Sequence, residues 1–188
     1  MSNARIRIIQ ESEATGETAA LYREIEAYFG IGLVPDVFKL AGIRPEFLQV
    51  MWLGYRAMFD GGVLPRQIKE MLATLVSWSN SCQYCTETHS MFLQAHGGTA
   101  EAAAAAGSGD IESLPDEKYR MLLQFAEKVT EHAYRVTDED FAALRDAGLS
   151  DDEITEGVFV ASLVNAINRI ADTFGLKEIM QLRETAHQ

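Results

Sequence analysis

At 188 residues, 47% of them apolar, the chain is long enough to bury a substantial core, which argues against wholesale disorder. A formal net charge of −12 speaks against nucleic acid as a partner, because phosphates require a basic face, and against adsorption to anionic lipid. No apolar run approaches the roughly 18 residues of a membrane span. The opening MSNARIRIIQESEAT has no apolar core with a cleavage site, so a cytoplasmic setting is expected.

Taken in chain order, the pattern is almost entirely helical. RIRII, Arg5 to Ile9, is the one short strand candidate. A first helix is expected from about Glu17 to Phe29, capped by Thr15 and stopped at Gly30, and a short second one from Asp36 to Leu40. Pro45 opens a third, to Phe59 before Gly61 and Gly62, and Pro65 a fourth, to about Ser79. A cysteine-bearing helix then runs to Ala95, followed by an alanine-rich one from Ala100 to Ala106 that ends at Gly107.

The second half repeats this grammar. Pro115 opens a helix to about His132 with Met121, Leu122, Phe125 and Val129 as its apolar stripe. Thr137 with Asp140 and Ser150 with Glu153 read as capping pairs for two further helices, the second reaching about Thr173 through the apolar run VFVASLV. A last helix is expected after Gly175. The expectation is an all-α chain of nine or ten helices forming a single domain over 1–188, with its chemistry concentrated at 64–98.

That chemistry lies in EMLATLVSWSNSCQYCTETH. Cys82 and Cys85, the only two cysteines, are three apart, and His89 follows Cys85 by four. On a helix these offsets share one face. Two cysteines in a chain of this size are not a disulfide framework, so a CxxC pair points to redox catalysis or metal binding, with core filling as the plain alternative.

Asn80 and Ser81 read as caps for a helix starting at Cys82, where unpaired N–H groups would make both sulfurs acidic. Glu70 and Cys82 would stand about 18 Å apart on one straight helix. A reversal near Asn80 instead returns Glu70 to the level of His89 on an antiparallel neighbour. Ala73, Thr74, Ser77 and Ser81 on Glu70's face are small enough to let that neighbour approach. The metal reading is short of ligands: zinc takes four, and Glu70, Glu87 or His96 would have to complete the set.

The order Glu70, eleven residues, Cys82-Gln83-Tyr84-Cys85, three residues, His89 resembles the AhpD-like alkylhydroperoxidases of the carboxymuconolactone decarboxylase superfamily. The wider layout, including GLVPDVFKLAGIRPEFL, is similar to the branch of peroxidase-related proteins. The resemblance implies an all-helical fold that oligomerises with itself and uses neither organic cofactor nor metal. It implies a peroxide substrate and a dithiol reductant, a protein or a small thiol. In that scheme Cys85 attacks the peroxide, Cys82 resolves the sulfenic acid as a disulfide, and His89 with Glu70 relays protons. Known AhpD enzymes carry histidine where this chain has Tyr84, a poor proton shuttle near neutrality. The superfamily's lactone decarboxylases generally lack the paired cysteines, which argues against that activity here. A non-enzymatic thiol redox or zinc-binding module is the alternative from another class. Asn165, Asn168 and Arg169 either line a pocket or satisfy neighbouring backbone, the latter being favoured. Trp52 and Trp78 are expected in the core or at subunit contacts.

Overall fold

The structure, a computed structural model, describes residues 4–177. Among these the chain is all-α, with nine α-helices, three short 3-10 turns and no strand. In order the helices are α1 (Gly16–Phe29), α2 (Asp36–Lys39), α3 (Pro45–Phe59), α4 (Arg66–Ser79), α5 (Gln83–Ala95), α6 (Ala100–Ser108), α7 (Glu117–His132), α8 (Asp138–Asp146) and α9 (Asp151–Phe174). The helix expected after Gly175 falls mainly outside the described residues.

Helix starts and stops follow local chemistry. Both capping boxes form, at Thr137 with Asp140 and at Ser150 with Glu153. Gly30 closes α1 at φ 64°, a left-handed conformation that costs glycine nothing. Two boundaries and one strand candidate differ here from the sequence reading. Asp116 caps α7, accepting from the N–H groups of Lys118 and Tyr119, so the helix begins after Pro115 rather than at it. Gly107 lies inside α6, close to Ser90, Thr86 and Thr74, and Gly109 ends the helix instead. RIRII pairs with no strand, because the helical surroundings offer it no edge. Arg5 instead donates its backbone N–H to Phe174 O and its guanidinium to Asp172 O and Thr173 O, capping the C-terminus of α9.

Helix α4 is the hub. It packs against α5 most extensively, and also against α6, α7 and α9. Every residue from Ile68 to Ser77 is buried, which is why this helix is apolar or small on nearly all sides. Its two buried ionic side chains toward the N-terminus point different ways. Lys69 reaches Glu156 and Gly61 O, while Glu70 faces α5. An apolar cluster then runs from Tyr22 and Ile25 of α1 through Trp52, Leu72 and Leu75 to Leu122 and Val164. Trp52 is buried with its indole N–H on Glu24, and Trp78 is partly exposed.

Candidate active site

Helices α4 and α5 are joined by a tight reversal that sets the whole site. Ser81 takes φ 60°, and the Cys82 N–H donates to Ser77 O at 2.9 Å. Asn80 is therefore the C-cap of α4 rather than a cap for α5, and Cys82 itself occupies the N-cap position. The Asn80 side chain donates to Asn165 Oδ1 (2.8 Å) and Asn168 Oδ1 (2.9 Å), and Asn168 donates to Ser77 Oγ (3.0 Å). Arg169 in turn donates to the Asn165 carbonyl and side-chain oxygens. These α9 residues brace the turn before Cys82 and do not line the pocket beside Cys85.

The reversal brings Glu70 to His89. Glu70 is fully buried, and its Oε2 lies 2.7 Å from His89 Nδ1. A carboxylate only accepts, so it fixes the proton on Nδ1 and leaves Nε2 available to the pocket. Ala73, Thr74 and Ser77, all without exposed surface, give α5 the close approach this needs, whereas Ser81 lies beyond the helix and is exposed. Phe59 stacks on the imidazole with centroids 5.6 Å apart and carries the Arg66 guanidinium 4.4 Å from its ring centre.

Arg66 was not marked by sequence reading, although its position four residues before Glu70 is the spacing of a helical ion pair. It meets Glu70 Oε1 at 2.7–2.8 Å and also donates to Tyr55 Oη, Tyr28 Oη and Phe59 O.

Both cysteines are reduced and buried, but they differ in environment. Cys85 and His89 line a cavity of about 30 Å³ with Tyr55, Phe59, Tyr84 and Phe92 among its walls. Cys82 is fully buried and does not line it, although both cysteines share an apolar cluster with Ile8, Leu40, Tyr84, Ala171 and Leu176. The Cys82 thiol is pushed far up by its hydrogen bond with the Cys85 side chain and by burial, which outweigh the Cys85 N–H. The expectation that a helix start acidifies both sulfurs thus fails for Cys82: a neighbouring sulfur and a dry setting overcome the N-terminal dipole.

Tyr84 is buried, its Oη accepting from the Val37 N–H at 3.4 Å, and burial raises its phenol. Its ring forms part of the cavity wall beside Cys85. Among the described residues no three His, Cys, Asp or Glu side chains converge to hold a metal. Glu87 accepts from Gln83, and His96 lies at the far end of α5 against Phe92 O.

The raised groups have a consequence for stability. Cys82, Tyr55 and Tyr84 keep their protons in the folded chain beyond the values of 9.0 and 10.0 at which free groups release them. Above those values the unfolded chain binds fewer protons than the folded one. Stability is therefore fully present below about pH 9 and falls as pH rises, by about 1.4 kcal/mol per unit for each such group. Urea unfolding at about pH 8 and about pH 10.5 checks the sign.

Helical architecture, a reversed helix pair and a CxxC with an adjacent carboxylate–imidazole pair are the features that the resemblance to AhpD-like proteins leads one to expect. Residues 45–128 match the model of the carboxymuconolactone decarboxylase family. An alkyl hydroperoxide reductase of Mycobacterium tuberculosis is 30% identical over 115 residues, 61% of this chain and 33% of that protein, so the chain spans about a third of that relative's length. In fold it is similar to a peroxidase-related protein of Ralstonia eutropha JMP134 (TM-score 0.84, 24% identity, 92% of this chain and 90% of that one). It is also similar to the debrominase Bmp8 in complex with 2,3,4-tribromopyrrole (TM-score 0.81, 18% identity, 100% and 98%). Among the described residues no helix is long and apolar enough to cross a membrane.

Proposed function

We propose that this chain is a thiol-dependent peroxidase that reduces hydrogen peroxide or organic hydroperoxides through a Cys82–Cys85 disulfide. The observation that carries the reading is Cys85 beside His89 in one small cavity, with His89 held at 2.7 Å by buried Glu70. Catalytic roles fall to Glu70, Cys82, Cys85 and His89.

Cys82 holds its proton toward Cys85, which leaves Cys85 as the nucleophile. Its sulfur attacks one peroxide oxygen: the S–O bond forms, the O–O bond breaks, and the proton given up by the Cys85 thiol passes through His89 to the departing alkoxide. The products are an alcohol and a Cys85 sulfenic acid. Cys82 then attacks that sulfur, the S–S bond forms and water leaves, with the Cys82 proton completing the water. An external dithiol, itself oxidised to a disulfide, returns both cysteines to thiols. No metal or organic cofactor takes part.

A cavity of about 30 Å³ beside Cys85 has room for a water-sized group, which supports access of a peroxide oxygen to that sulfur. Self-association and a cytoplasmic setting belong to the same proposal.

The test is consumption of cumene hydroperoxide by purified protein with a dithiol present. After a peroxide pulse, the peptide holding both sulfurs should lose about two daltons, reversibly, as two hydrogens leave in disulfide formation. Absence of both signals sinks the peroxidase. Disulfide formation by other oxidants without peroxide turnover would leave a redox module, and stoichiometric zinc would leave a metal module.

A further inference from the structure

Arg66 takes no part in the sulfur chemistry above, yet one carboxylate separates it from the His89 ring. Glu70 divides its oxygens, Oε1 to Arg66 at 2.7–2.8 Å and Oε2 to His89 Nδ1 at 2.7 Å. The three side chains are withdrawn from water, with exposures of 20% for Arg66, 0% for Glu70 and 11% for His89. Tyr55 Oη at 3.1 Å and Tyr28 Oη and Phe59 O at 3.3 Å hold the guanidinium in place.

Resting on the peroxidase reading, we infer that Arg66 is a positioning residue of the relay: its charge balances Glu70, so His89 rests as a neutral base rather than being locked as imidazolium. The argument is a charge count. With Arg66 present, a neutral ring leaves one cation and one anion, and the buried trio carries no net charge. Without it, an unexposed carboxylate faces the ring alone, and the pair becomes neutral only by keeping a proton. Net charge in a dry setting is disfavoured, so the proton stays. A ring that keeps its proton cannot accept another.

No other group replaces that charge. The remaining titratable side chains facing the trio are Tyr28 from α1, Tyr55 from α3, Asp60 just after α3, and Cys85 from α5. Asp60 is answered by Tyr28 at 2.5 Å and Arg56 at 2.7 Å. Burial raises Tyr28 and Tyr55, which stay as neutral phenols. Lys69, the adjacent cation on α4, is engaged by Glu156 and Gly61 O.

The experiment follows the His89 ring by NMR in isotope-labelled protein from about pH 5 to 9, with His89→Asn assigning its signals among the four histidines. Wild type is compared with Arg66→Met and Arg66→Lys. In Arg66→Met the ring should keep its proton to higher pH, and Arg66→Lys should restore the wild-type titration. Hydroperoxide turnover in Arg66→Met should fall by about 10²-fold at neutral pH and recover as pH is raised. If the Met variant does not fold, Arg66→Gln, which keeps N–H donors without the charge, gives the same reading. An unmoved titration without the charge, or a Lys variant displaced as far as the Met one, overturns the inference; a bracing role alone would lower turnover equally at every pH. The ring titration needs no peroxide, so a wild type without turnover would end the peroxidase reading and leave this result standing.

Discussion

Cys85→Ser should abolish hydroperoxide consumption, while Cys82→Ser should still reduce one equivalent of peroxide and then stop. The asymmetry follows from the different surroundings of two sulfurs three residues apart. Cys85 lines the cavity with His89, whereas Cys82 is fully buried outside its lining and keeps its proton. In Cys82→Ser the oxidised Cys85 has no thiol beside it, so the sulfenic acid should persist and gain one oxygen in mass, trappable by dimedone. Rapid-quench mass spectrometry of both variants reads this directly. Equal single-turnover activity in Cys85→Ser would reverse the assignment of the two sulfurs. Loss in both with no oxygen retained would remove the sulfenic step.

Glu70→Ala should have the largest effect on stability of any single change in the site. It deletes a carboxylate with no exposed surface and strands the largely buried Arg66 guanidinium that it paired. Breaking a buried pair from one side costs about 3–5 kcal/mol, because the surviving charge loses its partner. Glu70→Gln keeps the shape and should retain more of the fold, but an amide can donate where the carboxylate only accepts. That allows His89 to carry its proton on the other ring nitrogen, and turnover should fall by about 10²–10⁴-fold. Urea melts and steady-state rates on the two variants separate the structural loss from the chemical one. A Glu70→Gln protein with wild-type turnover would remove the carboxylate from the relay.

Much of the fold was legible because it is local. Prolines at Pro35, Pro45, Pro65 and Pro115, glycine at Gly30 and the caps at Thr137 and Ser150 act within a turn of their own helices, and their boundaries came within a few residues. The reading failed where a distant contact took over. Asn80 looked like a cap for the following helix, but its amide is taken by Asn165 and Asn168 on α9. Gly107 looked like a stop, but it is held inside α6 by contact with α4 and α5. RIRII has strand composition and no strand to join.

Of the site, the sequence by itself determined the cast: two sulfurs, an imidazole in helical register with them, and a carboxylate that one chain reversal returns to the ring's level. Spacing suffices for that, since helix geometry converts residue offsets into faces. The guanidinium beside the carboxylate was within reach of helical spacing, whereas tertiary packing alone decided which sulfur meets a cavity and which one keeps the proton. Those properties depend on burial and on charges brought together from α1, α3, α4 and α5, and burial is a property of the packed helices that no single segment carries.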